Sequence, residues 1–252
     1  MQYVATLDRQ RLEEALDSWA QWPLALKKLP RVIEPLPGGR TNRNYRLSAP
    51  SLERDLVLRL NHPDPARLGI DRELEHEILA RVAAEGIGRP VLHWDPGQRF
   101  AVFPYLKART WSQSDLDSPE QRRRLWPLLK RLEHITLDRP RRRYLAYLDR
   151  YWHSLAQQGL TEPALERAWR EFRPRLAAFD RSPWPARLVH HDLVPANILD
   201  TGDRLYLIDW EYAAPGHPDI DVWAVDPEAV SDPFIPEMMG WINSLWERLA
   251  AG

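Results

Sequence analysis

Two carboxylates and an amide stand at fixed intervals in the second half of the chain. Asp192 and Asn197 lie in Leu188-Val-His-His-Asp-Leu-Val-Pro-Ala-Asn197, and Asp209 ends Leu205-Tyr-Leu-Ile-Asp209. Phosphoryl transfer calls for such a set, because its transition state spreads charge over phosphoryl oxygens and is served by positioning and charge neutralisation. One carboxylate free of metal can orient an acceptor hydroxyl and take its proton. A second carboxylate and an amide oxygen are hard ligands that suit Mg²⁺, whose shell keeps waters and phosphate oxygens. The residue types therefore predict Asp192 as the base, with Asn197 and Asp209 as metal ligands. The plainer alternative is a polar turn between two core strands, with Asp and Asn as turn residues. That accounts for either half of the pattern, but not for both together with the N-terminal features below.

The apolar runs beside these residues predict short strands at 187–190, 197–199 and 205–208, which would present the polar groups at their ends. Upstream, Leu12, Leu16 and Trp19 recur at helical spacing. Strands are expected at 31–36, 45–47, 56–60, 91–94 and 100–105. Pro37, Gly38 and Gly39 mark a hairpin tip between the first two. A helix is expected over 71–85, with Gly86 at its left-handed C-terminal position. Residues 110–179 read as mostly helical. The stretch 226–252 carries one helix containing Trp241, Leu245 and Leu249.

Composition sets outer bounds. The chain has 252 residues, 44% hydrophobic and 28% charged, with a formal net charge of -1. This is ordinary globular composition, with a charge that favours neither nucleic acid nor an anionic membrane. The absence of cysteine rules out disulfides and thiolate ligands and suits a cytoplasmic setting. A polar start without the apolar core of a signal peptide, and no apolar run near the length that spans a bilayer, lead to the expectation of no membrane partner. The 12 tryptophans are expected in stacked core packing rather than an aromatic substrate pocket. The arginines at 122–124 and 139–143 are expected on solvated helix faces, without a nucleic-acid partner.

His190-x-Asp192-x-x-x-x-Asn197 followed by Ile208-Asp209 resembles the catalytic and metal-binding loops of the aminoglycoside phosphotransferase and choline kinase superfamily. Leu36-Pro-Gly-Gly-Arg-Thr-Asn-Arg-Asn-Tyr-Arg-Leu47 resembles the nucleotide loop of its bacterial choline kinase and thiamine kinase branches. The resemblance runs from Leu36 to about Trp223. It implies an α+β, protein-kinase-like two-lobed fold. The N-lobe, 1–106, would be an antiparallel sheet with a helix that binds nucleotide. The C-lobe, 107–252, would be mostly helical and hold the catalytic loop, metal and acceptor site. It also implies ATP and Mg²⁺ as cofactors and a small-molecule alcohol as acceptor.

Residue by residue, the resemblance assigns Gly38, Gly39, Thr41 and Asn42 to the nucleotide loop. It matches Arg59, in Leu56-Val-Leu-Arg-Leu60, to the phosphate-gripping lysine of protein kinases. A helix glutamate should pair with Arg59; register from Gly86 favours Glu75, with Glu73 and Glu77 open. His190 is implied as a scaffold for the catalytic loop, and His191 stands where the family commonly has glycine. Asp221, in Gly216-His-Pro-Asp-Ile-Asp221, should brace that loop, while Asp219 reads as a surface or turn acid. Residues 100–106 would be the hinge strand. Glu211 and Tyr212 resemble acceptor-side residues of choline and thiamine kinases, so an amine alcohol (choline, ethanolamine or thiamine) is the first expectation. An aminoglycoside or sugar acceptor, or a pseudokinase that only binds nucleotide, is the alternative. Only residues 210–252 follow Asp209, fewer than the family usually has.

Overall fold

The structure is a computed structural model and describes residues 2–37 and 41–251. The chain divides into two compact units. One comprises Met1–Leu125 with Val194–Tyr212, the other Trp126–Leu193 with Ala213–Gly252.

In the first unit, helix α1 (Gln2–Asp17) precedes a five-stranded antiparallel sheet. Its strands are β1 (Arg31–Leu36), β2 (Arg43–Ser48), β3 (Leu56–Leu60), β4 (His93–Trp94) and β5 (Phe100–Pro104), in the order β1-β2-β3-β5-β4. Strand β3 is buried along its whole length, as its apolar run, interrupted only by Arg59, suits a strand covered on both faces. Leu47, Leu56, Leu58 and Leu60 pack with Ala15 and Trp22 into one apolar cluster. Helix α2 (Arg72–Ala84) starts at Asp71, whose side chain accepts from the backbone N–H groups of Glu73 and Leu74. It stops before Gly86, which takes the left-handed conformation at φ 62°. A second small sheet joins β6 (Arg109–Thr110), β8 (Ile198–Asp200) and β9 (Leu205–Leu207) in the order β6-β8-β9. Helix α3 (Gln113–Asp117) also lies in this unit. Helix α4 (Pro119–Leu132) runs through the boundary between the units.

The second unit is built on α5 (Tyr144–Gln157), α6 (Pro163–Arg181), α7 (Asp219–Val225) and α8 (Phe234–Ala251). One two-stranded antiparallel ladder, β7 (Arg187–Val189) with β10 (Ala214–Gly216), completes it. Its core is aromatic. Trp152 stacks on Trp169 at 5.0 Å between ring centroids, Trp241 meets Trp169 edge-on at 5.4 Å, and Phe172 stacks on Trp241 at 5.0 Å. Such pairs add to the large area each ring buries. The expected strands at 31–36 and 56–60 and the helix at 71–85 are present within a residue or so of their expected ends. Strands β6 and β10 are not expected from the sequence, because Arg109-Thr110 and Ala214-Pro215-Gly216 lack the apolar runs that mark the other short strands.

Candidate active site

A cavity of about 360 Å³ lies within the first unit, in the size range of small-ligand pockets. The sheet contributes Leu36, Val57 and Arg59, the segment after β5 contributes Tyr105 and Leu106, and Asn197, Ile208 and Asp209 complete the wall. Asn197 and Asp209 are brought together by pairing of β8 with β9 and by the Ile208 N–H, which donates to the Asn197 carbonyl at 3.0 Å. Asp209 has φ 66°, a left-handed backbone that asparagine and aspartate tolerate better than bulkier residues.

Behind the cavity wall is a buried network of charges. Arg59 Nη1 lies 2.6 Å from Glu75 Oε1, so of the three acids on α2 it is Glu75 that meets Arg59. Arg72 Nη1 binds Glu75 at 2.6 Å and Glu211 at 3.1 Å, and its Nη2 donates to Asn42 Oδ1 at 3.1 Å. Asn42 donates through Nδ2 to Glu211 at 2.8 Å and to Asp209 at 3.4 Å. Burial alone would raise the Glu75 carboxyl, but Arg59 and Arg72 hold it below the ordinary carboxylate range. Burial likewise opposes the charge of Arg59, and Glu75, Asp209 and Glu211 more than restore it. Glu211 differs. Burial first, then the nearby Asp209 charge, pushes it up to about 7 against the pull of Arg72. A fixed set of alternating charges like this holds its members in one arrangement, since losing any partner strands a buried charge.

The loop that carries Asp192 is braced within the second unit. Asp221 is buried on α7 and accepts the backbone N–H of His190 at 2.7 Å and of His191 at 3.1 Å. His190 is fully buried, and its Nδ1 accepts the Asp192 N–H at 3.3 Å. Burial raises the Asp221 carboxyl to about 7, against the lowering effect of those two donors. His191 has φ 64°, which is the backbone reason a glycine would suit this position. Its ring contacts the Tyr144 hydroxyl at 3.0 Å through Nε2 and the Val189 carbonyl at 3.2 Å through Nδ1. At Gly216, on β10, an added Cβ would come within 2.6 Å of both His191 and the Tyr144 oxygen.

The remaining expected residues fall as follows. Gly38 and Gly39 lie outside the described residues. Thr41 is half-buried just before β2, and Tyr212 closes the short 3₁₀ turn Trp210–Tyr212. Asp219, read as a surface or turn acid, is buried and accepts the backbone N–H groups of Ser231 and Asp232. Within the arginine-rich stretches, Arg124 forks onto Asp200 at 2.7 and 2.8 Å, and Arg141 donates to the carbonyls of Asp180 and Ser182. Arg72, in the buried network, and Arg89, on the cavity wall, are two arginines that sequence reasoning missed. For Arg72 the signal was the three-residue spacing to Glu75; for Arg89 there was none. No helix among the described residues is long and apolar enough to cross a membrane.

Asn197 and Asp209 offer one amide and one carboxylate oxygen set to a shared cavity. That fits Mg²⁺, which takes few protein ligands and completes its shell with water and phosphate. It would not fit a metal needing a full protein cage, and no group of three or more His, Cys, Asp or Glu suited to a metal occurs among the described residues.

No curated protein matches the chain's sequence. Among solved structures, a choline/ethanolamine kinase family protein from Mesorhizobium loti superposes with TM-score 0.67 at 24% identity, over 94% of this chain and 85% of that one. Choline kinase LicA from Streptococcus pneumoniae gives 0.70 at 22% identity over 87% and 86%, and LicA has also been solved in complex with AMP. Spectinomycin phosphotransferase APH(9)-Ia, in complex with ADP and spectinomycin, gives 0.55 at 11% identity over 90% and 77%. These likenesses establish the protein-kinase-like α+β fold. The model of the phosphotransferase enzyme family (APH) matches residues 32–232. The chain therefore belongs to that family, as a small-molecule phosphotransferase of the aminoglycoside phosphotransferase and choline kinase superfamily.

Proposed function

We propose that this enzyme transfers the γ-phosphate of ATP to a hydroxyl of a small molecule, and that the acceptor is an amine alcohol such as choline, ethanolamine or thiamine. The observation that carries the reading is the cavity wall shared by Arg59, Asn197 and Asp209, backed by the Arg59–Glu75 ion pair. In this reading residues 1–106 supply nucleotide binding and residues 107–252 the catalytic loop and acceptor site. Gly38, Gly39, Thr41 and Asn42 belong to the nucleotide loop, and Arg59 meets phosphate through Nη2, since its Nε donates to Asn61 and its Nη1 to Glu75. Asn42 is buried and bonded to Glu211 and Arg72, so its part is to hold that loop against α2. Asn197 and Asp209 would hold Mg²⁺, which when bound neutralises charge on the nucleotide phosphates. Asp192 orients the acceptor hydroxyl and accepts its proton as attack proceeds. His190 and Asp221 keep Asp192 in place through the backbone.

The likeness in fold to choline kinase LicA and to a choline/ethanolamine kinase family protein supports the amine-alcohol acceptor. One observation favours the alternative of an aminoglycoside or sugar acceptor. Glu211 is buried and engaged by Arg72 and Asn42, which takes away a carboxylate that an amine would use. An ATP-consumption screen over choline, ethanolamine, thiamine, sugars and aminoglycosides tests both. Turnover with one amine alcohol is expected; turnover only with sugars or aminoglycosides moves the assignment. Silence across the panel with ATP still bound would make the protein a nucleotide-binding pseudokinase.

A further inference from the structure

We propose that Arg89 is a second phosphate-binding cation of the cavity, acting beside Arg59 on the triphosphate of the bound nucleotide. This rests on the reading that nucleotide occupies the cavity, and adds to it a residue outside the matched motifs. Arg89 lines the same wall as Arg59, Asn197 and Asp209. The loop that carries it is packed tightly against α2, since a Cβ at Gly88 would strike Val82 at 2.7 Å. Its guanidinium lies 5.0 Å from the centre of the Phe103 ring, and Nη1 makes one long contact of 3.5 Å to the Pro104 carbonyl.

What Arg89 lacks is a counter-charge. No Asp or Glu among the described residues forms an ion pair with it, whereas Arg59 has Glu75. Arg89 Nε and Arg59 Nη2 are both buried without a hydrogen-bond partner among the described residues. Burial and the repulsion of Arg59 pull Arg89 down to about 10, with Asp209 opposing them. A partly buried cation without a counter-charge is unfavourable, and an arriving anion relieves that penalty. A base carbonyl would satisfy one N–H but leave the charge unmet; a phosphate oxygen meets both, through a charge-assisted hydrogen bond.

The test is binding of ATP, inorganic tripolyphosphate and adenosine, with Mg²⁺ present, to the wild type, Arg89→Met and Arg89→Lys, each with its thermal midpoint. Arg89→Met should weaken ATP and tripolyphosphate about tenfold or more, while adenosine stays within about twofold. Arg89→Lys should recover part of the loss. Should Arg89→Met fail to fold, Arg89→Gln carries the same expectation. Unchanged ATP and tripolyphosphate binding in a folded variant, or an equal loss for adenosine, overturns the proposal. A wild type that binds ATP with Arg89 indifferent defeats this inference alone; a wild type that binds none of the three defeats the nucleotide reading with it.

Discussion

Asp209 and Asp192, the two acids proposed to act on the phosphates and on the acceptor, are held by opposite means. In the first unit Asp209 stands beside a buried set of side chains, where Asn42, Glu211, Arg72, Glu75 and Arg59 fix one another through charge. In the second unit Asp192 is held through main-chain groups, with His190 and Asp221 accepting from the peptide N–H groups around it. That unit's core is built of stacked aromatic rings such as Trp152 on Trp169. A charge network is specific but brittle, since each member is costly without its partners. An apolar core loses stability in proportion to the atoms removed. The contrast suits the two proposed tasks: matching a highly charged nucleotide in the first region and aiming one carboxylate in the second.

Four substitutions would sharpen or break this comparison. The largest effect is expected from Asp192→Asn, which should lower transfer about 10³–10⁴-fold while sparing ATP binding. Single-turnover assays beside a nucleotide titration would show it, and unchanged turnover would remove Asp192 from the base role. Next comes Arg72→Ala, which leaves Glu211 without its cation and Glu75 with Arg59 alone, and should cost about 3–5 kcal/mol. Urea unfolding measures this, and Arg72→Met combined with Glu211→Gln should cost clearly less; equal losses would mean that the network is not coupled. Trp169→Ala in the second unit should cost about 3–4 kcal/mol through lost burial and stacking. A smaller value than that of an exposed-surface control would contradict the aromatic core.

The last prediction is a pH dependence. Asp221 is held at about 7, above the roughly 3.9 of an unfolded aspartate. Between those values the folded chain binds more protons than the unfolded one, so Asp221 should make stability fall as pH rises from about 4 to 7. Asp221→Asn should flatten that part of the profile. An unaltered slope would mean that the two backbone donors outweigh burial and keep the carboxylate ionised.

The sequence was most readable where local pattern and burial agree. The buried run 56–60, the helix ending at Gly86 and the spacing of Asp192, Asn197 and Asp209 each carry their own signal. The role of Asn42 does not, because its partner Glu211 is 169 residues away and only tertiary packing brings them together. Arg89 follows a glycine in a loop, and nothing nearby in sequence says that its charge will lack a counter-ion. The arginine-rich stretches misled in a different way. A run of like charges reads as a solvated face, yet Arg141 lies 4.2 Å from the Trp184 ring centre while capping two carbonyls. Arginine's long apolar stem allows that dual use.

Gly216 has a consequence for anyone diversifying this enzyme. With His191 and the Tyr144 hydroxyl both 2.6 Å from where a Cβ would sit, even alanine must displace both. Tyr144 also receives the His217 N–H at 2.9 Å, so the disturbance would spread along the main chain on both sides of the ladder. A randomised library at this codon should return glycine almost exclusively among active clones. Acceptor range is better explored elsewhere in the molecule.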